Sequence, residues 1–62
     1  MNTMSKAMTD LFTLRDETRD YMKVAVASGD QNLIDEFTTT INRIDRIIKN
    51  QMWLEDMIAK NQ

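Results

Sequence analysis

The sequence predicts an all-α fold: an antiparallel two-helix hairpin that pairs with a second copy into a four-helix bundle. Three observations carry this expectation. Apolar residues recur every three or four positions through two long segments. The only glycine of the 62-residue chain lies between those segments, and there is no proline. The apolar stripes are also wider than a single helix–helix contact covers.

The first helix is expected over about residues 3–27. Met4, Ala7, Met8, Leu11, Leu14, Thr18, Tyr21, Met22 and Ala25 fall on one stripe. Thr9, Thr13, Asp16, Asp20 and Lys23 lie opposite it. Asp16–Arg19 and Asp20–Lys23 are i,i+3 pairs of opposite charge, worth about 0.2–0.5 kcal/mol each. The turn follows at residues 28–30. Gly29 suits the left-handed position that closes a helix, and Asp30 suits the N-cap of the next one. Ser28 with Gln31 is an alternative capping box. Asp35 and Glu36 then sit near the positive end of the helix dipole.

The second helix is expected over about residues 31–59. Its stripe is Leu33, Ile34, Phe37, Ile41, Ile44, Ile47, Ile48, Leu54 and Ile58. At 100° per residue the stripe drifts backwards, as a seven-residue repeat does on a 3.6-residue helix, which implies a left-handed supercoil. Asp45–Lys49 and Asp56–Lys60 are i,i+4 pairs.

A turn this short folds the helices back on each other within one domain, 1–62. Pairing about Gly29 sets Ala25 against Leu33 and Ile34, and Tyr21 and Met22 against Phe37. Leu14 then faces Ile44, Leu11 faces Ile47 and Ile48, and Met4 faces Leu54. Lys23 falls near Asp35 and Glu36. The expected hairpin and dimer core is Leu11, Leu14, Tyr21, Met22, Ile34, Phe37, Ile41, Ile44 and Ile48. Met8, Met22, Ile34, Ile41 and Ile48 are its surplus apolar positions, which call for a second hairpin. Thr18 and Gln51 are polar residues within the stripe. Thr18 is placed to bond back to the Leu14 carbonyl, and Gln51 either fixes register or reaches solvent.

Composition excludes several function classes. With no Cys and no His the chain has no disulfides, no thiol nucleophile, no imidazole base and no usual zinc ligand set. A catalytic role is not expected. Asp16, Glu17 and Asp20, and Glu55 with Asp56, read as solvated acidic faces. No cofactor is implied. The charge is nearly balanced, 8 basic against 10 acidic residues, so bulk attraction to nucleic acid is weak. The longest apolar run is Val24–Ala27, far short of a membrane span. The first six residues lack the apolar region of a secretory signal, and a cytoplasmic location is expected. A chain this short without disulfides or metal usually needs a partner to complete its core.

Function is expected at the open end of the hairpin. Trp53 lies opposite the seam, with Arg46, Lys49, Asn42 and Lys60 as neighbours on that face. An aromatic beside basic residues suits either a protein groove or base stacking, and alternatively Trp53 packs on the chain's own N-terminus or lies flat on Lys49. Met1, Met4, Met8, Met52 and Met57 gather at the same end, where methionine either fills the frayed end of the bundle or adapts to varied partners. Trp53, Met57, Arg46, Lys49, Met4 and Met52 are therefore the candidate partner surface. Phe12 reads as packing at the edge of the core. Arg43, Arg46, Lys49 and Lys60 form a modest basic stripe, interrupted by Asp45 and Asp56.

In architecture and length the chain resembles the plasmid RNA-binding Rop hairpins and the small hairpin chaperones of type III secretion. The resemblance covers those two properties and carries no functional residues. Hairpins of this size also recur among accessory proteins of phages and plasmids. The expectation is a small non-enzymatic regulator or adaptor that binds another protein as a homodimer. The alternatives are a Rop-like nucleic-acid-binding dimer and a chaperone for a helical partner.

Overall fold

A computed structural model describes residues 4–61 and consists of two helices, α1 (Lys6–Ser28) and α2 (Gln31–Lys60), packed side by side as a hairpin. The expected start at Thr3 lies outside the described residues. α1 begins at Lys6 because Ser5 is extended and its hydroxyl accepts from the Met8 backbone N–H at 3.1 Å, satisfying a donor that the first turn leaves open.

The turn forms where the glycine falls. Gly29 has φ 69°, and a Cβ there would meet nothing within 4 Å, so backbone conformation alone requires glycine. The Gly29 N–H donates to the Val26 carbonyl and the Asp30 N–H to the Ala25 carbonyl, both at 3.1 Å. This is the paired arrangement of a Schellman motif. Asp30 then caps α2, its carboxylate accepting from the Leu33 N–H at 3.2 Å. The alternative capping box does not form. Ser28 instead donates back to the Val24 carbonyl, and Gln31 donates to Asp35.

The seam between the helices follows a strict heptad. On α1 it runs Met8, Leu11, Arg15, Thr18, Met22 and Ala25. On α2 it runs Ile34, Phe37, Ile41, Ile44, Ile48, Gln51 and Glu55. All of these are buried or half-buried. Met8, Ile44 and Ile48 form the centre, with Leu11 and Phe12 packed against them. Tyr21 stacks on Phe37 with ring centroids 6.3 Å apart, and the Thr38 hydroxyl lies 3.6 Å from the Met22 sulfur. Both contacts agree with the expected pairing of Tyr21 and Met22 with the Phe37 turn.

Two core expectations are corrected. Leu14 and Tyr21 lie outside the hairpin core, 48% and 64% exposed. The supposed surplus residues Met8, Met22, Ile34, Ile41 and Ile48 are in the seam instead. The cause is a small rotation of both helices. Leu11, Thr18, Ala25, Phe37 and Ile44 border two adjacent stripes, and the hairpin closes on the one that contains Ile34, Ile41 and Ile48. The other stripe, Leu14 and Tyr21 on α1 with Leu33, Ile47 and Leu54 on α2, is left along one flank of the hairpin.

That rotation brings Arg15 into the seam. Its guanidinium bonds to the Asp45 carboxylate at 2.8 Å, while its plane lies over the Phe12 ring at 4.8 Å. Asp45 is thereby taken from Lys49, and the expected i,i+4 pair is absent. Lys23 pairs with Asp20 at 3.7 Å rather than with Asp35 or Glu36. The Asp16–Arg19 and Asp56–Lys60 pairs form. Thr18 is buried and donates to the Leu14 carbonyl at 2.7 Å, so its hydroxyl is satisfied within its own helix.

Candidate functional site

The open end of the hairpin is shaped by unequal helix lengths. α2 has 30 residues against 23 in α1, so its last turns run past the start of α1. Apolar side chains on that overhang have little to pack on. Met52, Trp53 and Ile58 are more than half exposed, and Met4 across from them is too. Among the described residues no helix is long and apolar enough to cross a membrane.

A shallow groove of about 600 Å³ opens there, lined by Met4, Ser5, Met8, Met52, Trp53, Glu55 and Asp56. Each wall follows from the heptad. Met8 and Glu55 are seam positions, Ser5 and Met52 stand beside them on the same flank, and Asp56 lies one turn beyond Met52 and Trp53. The floor is flexible thioether and the rim is acidic. Gln51 donates to Glu55 at 2.9 Å and steadies that carboxylate. Methionines bend to fit irregular apolar shapes, and an exposed indole beside them supplies a rigid anchor.

The groove gathers three of the candidate surface residues, Trp53, Met4 and Met52. Met57 faces the other flank. Arg46 and Lys49 lie farther along the outer side of α2 and do not line the groove. Among the described residues neither makes an ion pair, and Lys49 does not stack on Trp53; the cation–π contact found is that of Arg15 with Phe12. Trp53 lines the groove together with Met52 and Asp56. Met1 lies outside the described residues. Ser5, Glu55 and Asp56 were not among the candidate surface residues. The signal for them was register: Ser5 lies across from Gln51–Glu55, and Glu55 and Asp56 follow Met52 and Trp53 by three.

The second feature is the apolar flank. Leu14, Tyr21, Leu33, Ile47 and Leu54 are 40–64% exposed and share one side of the hairpin. In an antiparallel pair the two columns that border the seam on one side come from equivalent heptad positions, so these five form one surface. Next to it, Asp35, Glu36, Thr39, Thr40 and Arg43 line a notch of about 380 Å³ on α2. The notch exists because Thr40 stands in the column where Leu33, Ile47 and Leu54 carry large side chains.

Among the described residues no three acidic side chains converge on a common point. No family model, no curated protein and no solved structure matches the chain.

Proposed function

We propose that the hairpin is a non-enzymatic binding module. It associates with a second copy through the flank of Leu14, Tyr21, Leu33, Ile47 and Leu54, and offers the Trp53 groove at its open end to a protein partner, as a small regulator or adaptor. The observation that carries this reading is the apolar flank. More large apolar side chains are exposed than buried, and five of them fall on one side of the hairpin. A contiguous exposed apolar surface marks an interaction site, whereas single exposed apolar residues are ordinary.

The reading is tested by sedimentation equilibrium at micromolar concentration. Wild type should run at twice the 7.3 kDa chain mass. Ile47→Asp, which puts a charge in the middle of the flank, should run at the single-chain mass and keep its helical circular dichroism. A wild-type chain that is fully helical and monomeric removes the proposal.

The alternative of a nucleic-acid-binding dimer similar to Rop rests on Arg43, Arg46 and Lys49 outside α2. Two observations weigh against it. The aromatic that would stack on a base sits among Glu55 and Asp56, and Lys60 is engaged by Asp56 at 3.0 Å. Salt separates the two readings. Nucleic-acid affinity falls steeply with salt, and docking of an apolar groove does not.

A further inference from the structure

We infer that the second copy covers the apolar flank with its turn at the same end, so that both Trp53 grooves lie at the other end, on opposite faces of the bundle. This rests on the dimer proposed above and specifies its geometry. Two two-fold arrangements can bury the flank. With the axis parallel to the helices, α1 lies across from α2 of the second copy and the turns coincide. With the axis perpendicular to them, α1 lies across from α1 and the turns are opposed.

Area permits either arrangement. The broad face of the hairpin measures 50 × 18 Å between backbone extremes, about 900 Å², and a stable interface takes about 800 Å² from each partner. Size also permits either. Charge decides between them. The columns that rim the flank carry Asp10, Glu17 and Val24 on α1, and Glu36, Arg43 and Asn50 on α2. Among the described residues Glu17 and Arg43 have no ion-pair partner within the hairpin.

With coincident turns, Glu17 stands level with Arg43 of the second copy, and Asp10 with Asn50. The symmetry makes two Glu17–Arg43 pairs. With opposed turns, Asp10 and Glu17 of one copy face Glu17 and Asp10 of the other. That edge then holds four carboxylates, with Lys6 on Asp10 as counter-charge, while Arg43 faces Asn50. Like charges across an interface disfavour the pairing that creates them.

The notch at Thr40 fits the same choice. With coincident turns, Tyr21 of the second copy stands opposite Thr40, where the notch lined by Glu36, Thr40 and Arg43 has room for a ring edge. Ala7 then meets Leu54, and Leu14 meets Ile47, so a small residue faces a large one wherever the column allows. The consequence is functional. Two acidic-rimmed, methionine-floored grooves then lie at one end on opposite faces, so a two-fold partner that caps that end can engage both.

The chain has no cysteine, so Asn61→Cys gives one reporter on each copy. Spin labels there should lie about 15–30 Å apart, the diagonal of a bundle plus the label arms. A distance near the 50 Å length of the hairpin overturns the inference and leaves the dimer standing. A monomer by sedimentation overturns both. Charge reversal gives an independent reading. Glu17→Lys should weaken the dimer about tenfold, and Glu17→Lys with Arg43→Glu should return it to within about threefold of wild type. A dimer unchanged or tightened by Glu17→Lys alone points to the four-carboxylate edge, and so to opposed turns.

Discussion

The Arg15–Asp45 pair joins residues 30 positions apart in the seam, and its removal should expose what holds the register. The two side chains are 22% and 36% exposed, between a surface pair and a buried one. Surface pairs contribute about 0–1 kcal/mol, and breaking a buried pair costs about 3–5 kcal/mol. The 2.8 Å bond is charge-assisted, and the Arg15 Nε is buried with no hydrogen-bond partner, so the guanidinium depends on Asp45 for its compensation. Asp45→Ala should therefore cost about 2 kcal/mol, because it strands a charge that cannot reach water freely. Arg15→Met should cost less, about 1 kcal/mol or below. Methionine keeps the apolar stem against Phe12, and the freed Asp45 carboxylate is exposed enough to hydrate. The double variant should resemble Arg15→Met, giving a coupling of about 1–2 kcal/mol. Urea unfolding followed by far-ultraviolet circular dichroism measures all four species. It must be done at one protein concentration, since the proposed association would add a concentration-dependent term. A coupling below about 0.5 kcal/mol refutes the reasoning, as does an Arg15→Met variant less stable than Asp45→Ala.

Three further outcomes are expected. Gly29→Ala should lower stability by about 1–2 kcal/mol in the same urea assay. The methyl group meets nothing, so the whole cost is the left-handed backbone at φ 69°, and Gly29→Asn should recover part of it. Ile44→Ala should cost about 2–5 kcal/mol, because Ile44 is 5% exposed at the centre of the seam between Met8 and Ile48. An Ile44→Ala chain as stable as wild type by urea midpoint would mean that the hairpin closes on a different stripe. Trp53→Ala should change stability by no more than about 0.5 kcal/mol, since the indole is 64% exposed. It should weaken capture of a groove-binding helical peptide by about 2 kcal/mol, read by titration calorimetry, as loss of a central aromatic anchor does. Equal loss of folding and binding would assign Trp53 to the fold.

The helices and the turn were legible because their signals are local. Gly29 is forced by one dihedral angle, and Asp30 by one unpaired N–H two residues into α2. The rotation of the helices about their own axes was not legible, because two neighbouring stripes compete and the helices disagree. On α1 the richer stripe contains Met4, Ala7, Leu14 and Tyr21. On α2 the richer one contains Ile34, Ile41 and Ile48, while its rival is interrupted by Thr40. A hairpin can close on only one pair of stripes, and it closes on the isoleucines. The obstacle on the α1 side was Arg15, which reads as an outward residue. Its charge is tolerated in the seam only because Asp45 stands across from it and Phe12 lies under it. Periodicity on one helix does not contain that information; it resides in the register between two.

The same disagreement explains why the flank is apolar at all. Had α1 been shaped only to close a monomer, the column of Met8, Arg15 and Met22 would be apolar throughout, and Leu14 and Tyr21 would be free to be polar. Instead Leu14 and Tyr21 stand beside the seam, 48% and 64% exposed, and Leu33, Ile47 and Leu54 extend the surface they begin. Five half-exposed residues on one side carry a solubility cost that the hairpin alone does not offset. The proposed second copy would remove that cost and leave the seam untouched, since the flank and the seam share only their border residues. The groove is separate again, on the opposite flank at the open end, where Met52 and Ser5 border the seam. The proposed self-association and the proposed partner binding would thus draw on different sides of one two-helix unit, and Ile47→Asp and Trp53→Ala should impair them one at a time.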